Sequence, residues 1–137
     1  MSAKLLKGSC HCKAVRYEVE LDPHAGTTRC NCTICTKVGW WGAIVKPPAF
    51  RVTSGEDKLG DFSRSEYGHA RFCSVCGVRL FGHGHIPDLG GDYVSVNLNT
   101  LDDVDLRGVP VLLLDGLHDT WAPLGNTVHE SIFPAAK

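Results

Sequence analysis

Seven cysteines stand in three tight groups: Cys10-His11-Cys12, then Cys30-Asn31-Cys32-Thr33-Ile34-Cys35, then Cys73-Ser74-Val75-Cys76-Gly77. Thiolates this close together can grip one borderline-soft metal ion, and a glycine after a Cys-x-x-Cys pair permits the tight turn of a metal knuckle. Zinc takes four tetrahedral ligands in structural sites, so the Cys73/Cys76 knuckle needs two more. Cys10 and Cys12 supply such a pair, which leaves Cys30, Cys32 and Cys35 as a group of three. Three protein ligands with a fourth position open is the pattern of a catalytic zinc site. This division predicts two zinc ions per chain. Spacing alone also permits a single ribbon site built from Cys32, Cys35, Cys73 and Cys76, with Cys10, Cys12 and Cys30 as ordinary thiols, or iron–sulfur or redox chemistry. An odd number of cysteines cannot all pair within one chain.

The elements that must position these groups are short strands. Lys13 to Leu21 alternates, with Val15, Tyr17, Val19 and Leu21 on one side and Arg16, Glu18 and Glu20 on the other, as in a half-buried strand. Asp22 to Gly26 reads as a turn. Cys30 to Lys37 reads as a metal-organised loop with one helical turn. Strands are expected at Trp41–Lys46, stopped by Pro47-Pro48, at Phe50–Thr53, and near 58–63, 69–73 and 78–83. Asp92–Leu98 alternates again through Val94, Val96 and Leu98, and Val109–Leu114 is a short apolar run. A helical turn is expected around Thr100–Leu106, with Thr100 as its N-cap. The fifteen glycines and seven prolines fit a chain of many turns. The fold expected is mostly β, as one domain over residues 1–137, and metal staples would add folding free energy to such a core.

The formal charge is −1 with no run of Lys or Arg, which gives no footprint for nucleic acid or a membrane surface. No apolar stretch has the length of a membrane span, and the first residues lack the apolar core of a signal peptide. A reducing cytoplasm is therefore expected, where clustered thiols act as metal ligands or catalytic groups rather than as disulfides.

Gly8-Ser9-Cys10-His11-Cys12 ahead of Val15 and Tyr17, Cys30-Asn31-Cys32-Thr33-Ile34-Cys35, and Arg71-Phe72-Cys73-Ser74-Val75-Cys76-Gly77 occur in one order along the chain. Together they resemble the glutathione-dependent formaldehyde-activating enzyme family, which also includes centromere protein V. Asp115-Gly116-Leu117-His118-Asp119-Thr120-Trp121 resembles the C-terminal signature of that family. The resemblance implies an Mss4-like fold of stacked antiparallel sheets stapled by zinc. It implies that Cys10, Cys12, Cys73 and Cys76 hold the structural zinc, with Cys30, Cys32 and Cys35 in the active site. It also implies condensation of glutathione with formaldehyde, which is carbon–sulfur lyase chemistry in reverse. Lys13 stands where the family pattern carries glycine, Thr33 where it often carries serine, and Thr36-Lys37 where arginines are common.

The activity expected is thus a zinc-dependent carbon–sulfur lyase type, joining or releasing a glutathione-like thiol and a small electrophile such as an aldehyde. A thiol on an open zinc loses its proton outright, and three thiolates already on the metal favour thiolate delivery over strong Lewis-acid catalysis. The alternative is a non-catalytic, zinc-stapled module that binds a protein. His83 and His85 would share one face of a strand, within reach of a metal or as acid and base, against exposed imidazoles in a loop. His118 and Asp119 fit a structural hydrogen bond as well as proton transfer, and His11 projects away from the metal. Trp40 and Trp41 either pack beneath the metal loop or line a pocket. Lys13, Arg29 and Lys37 are candidates to meet a carboxylate.

Overall fold

The computed structural model describes residues 3–65 and 68–130. Eleven strands run through the described residues: β1 Lys4–Ser9, β2 Arg16–Leu21, β3 Thr27–Cys30, β4 Gly42–Val45, β5 Phe50–Ser54, β6 Leu59–Ser65, β7 Gly68–Cys73, β8 Arg79–Ile86, β9 Gly91–Asn97, β10 Pro110–Leu114 and β11 Pro123–Val128. The one α-helix among them, α1, is the six-residue Thr33–Val38. The fold is mostly β and has two sheets. A three-stranded sheet runs β1-β2-β5, and an eight-stranded sheet runs β11-β10-β3-β4-β9-β8-β7-β6. All pairings are antiparallel except β10 with β3, where Leu114 lies beside Cys30.

The alternation in β2 places Tyr17, Val19 and Leu21 on the buried side, with Val15 just ahead of the strand. They meet Leu80, Phe81, Val94, Val96 and Val111 from the larger sheet, with Leu98 and Val109 beside it, in one core. Burying each such side chain is worth about 1.5–3 kcal/mol, so this contact is the main stabilising term. An aromatic chain crosses it: the Tyr17 and Phe50 rings are 5.2 Å apart and Phe50 and Phe81 4.6 Å apart. Gly8 lies opposite Tyr17, and a Cβ there would fall 2.2 Å from the Tyr17 ring. Only a glycine lets β1 run this close to the phenol. Trp41 is buried and donates through Nε1 to Thr27 Oγ1 at 2.6 Å, while His129 stacks on its ring at 4.1 Å.

Two expectations are corrected. The alternating segment does not begin as a strand at Lys13: Cys10 to Val15 is a reverse turn, closed by Cys10 N–H donating to Val15 O at 3.1 Å, and pairing starts at Arg16. Nor does Thr100 cap a helical turn over 100–106. A 3₁₀ turn spans Leu98–Thr100 instead, with Asn97 as its cap. Thr100 is its last residue, donating to Asn97 O at 2.7 Å. With that proton committed, the Tyr17 hydroxyl must donate to Thr100 Oγ1, 2.7 Å away. The polar pair is buried, and a satisfied buried hydroxyl costs nothing only with such a partner.

Candidate metal centres

The sulfurs gather as four and three. Cys10, Cys12, Cys73 and Cys76 form one group and Cys30, Cys32 and Cys35 another, each with its ligand atoms within 4.8 Å of one another. Cys32 and Cys35 therefore do not join the Cys73/Cys76 knuckle. Each group could hold a metal ion.

The four-thiol group is made where the two sheets meet. Cys10 and Cys12 lie in the β1–β2 turn, and Cys73 and Cys76 at the β7–β8 turn. The first turn needs a left-handed residue, and Lys13 takes that conformation at φ 67°. Glycine would do so without steric cost, which explains the glycine of the family pattern. Lys13 is held there by Ser9 Oγ at 3.0 Å and Asp102 at 3.5 Å, so its charge is engaged beside this cluster. In the second turn Gly77, at φ 82°, donates to Cys73 O at 2.7 Å. Sulfurs bound about 2.3 Å from a tetrahedral zinc lie about 3.8 Å from one another. Cys12 is 3.7 Å from both Cys10 and Cys73, which fits.

The four thiols and the nearby N–H groups shift one another's ionisation. Burial opposes ionisation of Cys76, but N–H groups of Val78 and Cys12 and the adjoining thiols outweigh it and bring it down to about 6. Cys12 receives help from the Ala14 N–H, yet burial and its Cys73, Cys10 and Cys76 neighbours push it up to about 11. A divalent cation would replace the thiol protons and satisfy all four sulfurs.

The three-thiol group is built from the end of β3 and the start of α1. Cys30 is the last residue of β3, and Cys32 is the N-cap of α1, its sulfur accepting from Cys35 N–H at 3.4 Å. Gly39 ends the helix in the left-handed conformation at φ 68°, which allows Trp40 N–H to reach Cys35 O at 3.0 Å. Burial, then the Cys32 and Cys30 groups, push Cys35 up to about 12. Burial also opposes Cys32, but the Cys35 and Ile34 N–H groups and the two neighbouring thiols shift it down.

The loop after β10 clasps this group, through residues whose role the sequence did not reveal. Asn31 N–H donates to Leu114 O at 3.2 Å and its Nδ2 to Asp115 Oδ1 at 3.1 Å, while its Oδ1 accepts from Leu117 N–H at 2.9 Å. Asp115 also meets His118 Nδ1 at 2.9 Å and Thr120 Oγ1 at 3.3 Å. The His118 hydrogen bond, with help from Asn31, holds the Asp115 carboxyl below the usual carboxylate range against the effect of burial. The structural reading of His118 therefore has its partner, and Asp119 at φ 58° and Trp121 at φ 55° complete a strained turn. Gly116 is buried against the cluster: a Cβ there would fall 2.3 Å from Cys30 Sγ and 2.9 Å from the Trp121 ring.

The remaining candidates are distributed as follows. His11 is exposed. His83 and His85 do lie on one strand, β8, with His83 stacked on His69 at 4.9 Å and His85 paired to Asp92 at 2.7 Å. By strand alternation they face away from the side to which Gly82 and Gly84 point. Burial, with His69 and Arg71, shifts His83 down. The two tryptophans divide the two readings: Trp41 is in the core, and Trp40 lines a groove with Cys35. Arg29 packs its guanidinium 5.6 Å over Trp41, and Lys37 is exposed on α1.

The chain is thus a mostly β, cysteine-rich protein whose four-thiol and three-thiol clusters could each hold a metal ion. The sequence model of the glutathione-dependent formaldehyde-activating enzyme family matches residues 5–112, and the chain belongs to that family. A Halomonas elongata protein that bears this enzyme's name is 35% identical over a stretch covering 56% of this chain and 55% of the relative. The chain thus matches about half the length of that relative. A solved crystal structure of a Rhodobacter sphaeroides protein superposes with a TM-score of 0.64 at 29% identity, covering 73% of this chain and 91% of that one. No helix among the described residues is long and apolar enough to cross a membrane.

Proposed function

We propose that the chain is a zinc-dependent enzyme of carbon–sulfur lyase type that joins a glutathione-like thiol to a small aldehyde, or releases it. The observation that carries this reading is the contrast between the clusters. The four-thiol group has a full tetrahedral ligand set and links the two sheets, as a structural zinc does. The three-thiol group has one ligand fewer, and Cys35 lines an open groove. Cys10, Cys12, Cys73 and Cys76 are the structural ligands on this reading, and Cys30, Cys32 and Cys35 form the reacting centre. Family membership and the name of the Halomonas elongata relative support glutathione and formaldehyde as the pair. Zinc, when bound to the three thiols, supplies acidification of a thiol at its open position and polarisation of a carbonyl.

The net addition balances simply: the thiol S–H adds across the aldehyde C=O, the new C–S bond replaces the carbonyl π bond, and the proton lost by sulfur ends on oxygen. The chain's own residues hold the centre still. The Cys35 and Ile34 N–H groups favour a charged Cys32 sulfur, and Asn31 ties the cluster loop to Asp115 and Leu117. The test is a pair of variants. Cys32→Ser should abolish adduct formation, followed by NMR exchange between glutathione and formaldehyde, while leaving thermal stability nearly unchanged. Cys73→Ser should unfold the domain. Equal loss of stability in both would erase the division of labour, and one bound zinc with no thiol binding would favour the protein-binding module.

A further inference from the structure

The groove beside Cys35 contains two polar groups, the Arg79 guanidinium and the Tyr93 hydroxyl, with no hydrogen-bond partner among the described residues. Two open cavities of about 190 and 280 Å³ share Ile34, Ala70, Arg79 and Tyr93 in their walls and so form one continuous groove. One part is bounded by Cys35, Val38 and Trp40, and the other by Phe62 and Gly68. Register sets the floor of the groove: Gly84 lies opposite Tyr93, and Gly82 opposite both Ser95 and Ala70. The floor is low because β8 offers glycine there. A Cβ at Gly82 would fall 2.9 Å from the His69 carbonyl oxygen, so no larger residue fits without moving backbone.

Arg79 is half-buried in this groove. Among the described residues its guanidinium has no hydrogen bond and no carboxylate partner, only the Phe62 ring at 5.5 Å. Two other arginines show the contrast: Arg51 is paired to Glu18 at 2.6 Å and Arg107 to Asp105 at 2.7 Å. The Tyr93 hydroxyl also has no partner among the described residues, and burial keeps it in its neutral, donating form. A guanidinium fork and a phenol donor in an apolar groove are complementary to a carboxylate, with the fork fixing its orientation.

We propose that Arg79 and Tyr93 receive a carboxylate of the thiol substrate, so that the groove selects thiols carrying an anionic carboxylate over neutral ones. The inference rests on the reading of the three-thiol cluster as the reacting centre. Lys13 is a poorer carboxylate contact, since Ser9 and Asp102 already hold its charge.

The experiment is calorimetric titration of the zinc-loaded full chain with glutathione and with glutathione dimethyl ester. Wild-type protein should bind the free acid more tightly than the ester by about 10- to 100-fold, the weight of a charge-assisted hydrogen-bonded contact. Arg79→Met, which keeps the apolar stem, should weaken the acid by a similar factor and leave the ester unchanged, and Arg79→Lys should recover part of the loss. A structural role for Arg79 would instead weaken both ligands together. Equal binding of acid and ester by the wild type, which needs no variant to fold, overturns the assignment while leaving the enzyme reading intact. Binding of neither ligand by the wild type overturns the enzyme reading itself, and this assignment with it.

Discussion

Replacing Gly116 with alanine tests whether the loop after β10 sets the geometry of the three-thiol cluster. The added Cβ would start 2.3 Å from Cys30 Sγ and 2.9 Å from the Trp121 ring. Comfortable separations are about 3.5–4.0 Å, so sulfur and methyl must part by more than about 1 Å. Relief can come from Cys30 moving or from the loop lifting off Asn31, and both disturb the cluster. Metal ligands tolerate displacements of only about 0.2 Å, and lost support around a ligand costs about 10- to 100-fold in metal affinity. The four-thiol group, fed by the β1–β2 and β7–β8 turns, is untouched. On the proposed two-zinc reading, competition with a graded series of zinc chelators, read with a thiol reagent, should therefore show one zinc leaving about 10- to 100-fold more readily than in the wild type, with three thiols becoming reactive and the second zinc unchanged. Unchanged affinity for both zinc ions, or equal weakening of both, would refute the reasoning.

Two further predictions concern the frame. Gly55 adopts φ 78° and a Cβ there would fall 1.9 Å from the Ala14 carbonyl, inside the turn that carries Cys10 and Cys12. Gly55→Ala should cost more than about 3 kcal/mol, a fall of roughly 10 °C in thermal midpoint; a change under about 3 °C would show that the turn yields. Burial holds the Tyr17 phenol well above its ordinary value. Unfolding above about pH 10 then releases a proton that the folded chain retains, so stability contributed by the neutral phenol is present below that pH and declines above it by about 1.4 kcal/mol per pH unit. Urea midpoints between pH 9 and 11 should fall more steeply for the wild type than for Tyr17→Phe, and parallel curves would contradict the burial argument.

Much of the frame could be read from the residues because half-buried strands write their burial into a period of two. The alternations at Tyr17, Val19 and Leu21 and at Val94 and Val96 each marked a strand and its buried face. The cysteine groups were equally plain, since ligand spacing is local. β1, β3 and β11 carried no such pattern: β3 has four residues, and β11 is an edge strand largely open to solvent. The Cys10–Val15 turn was hidden because Lys13 occupies a conformation its type rarely chooses. Thr100 looked like a cap by composition, whereas its hydroxyl is committed to Asn97 and Tyr17. The support for the second cluster came from afar, through Asn31 and Asp115, 84 positions apart. Arg79 and Tyr93, on neighbouring strands β8 and β9, share a groove that no local signal records.

The link between the two sheets also has a timetable. Cys12 and Cys73 are 61 positions apart, and at about 5–20 residues per second the ribosome takes roughly 3–12 s to travel from one to the other. Cys30, Cys32 and Cys35 emerge inside that interval, before their future neighbours in the four-thiol group are complete. The nascent chain therefore passes through a stage with five thiols and neither member of the Cys73/Cys76 knuckle. During synthesis five thiols are thus exposed before the set that links the two sheets can be completed.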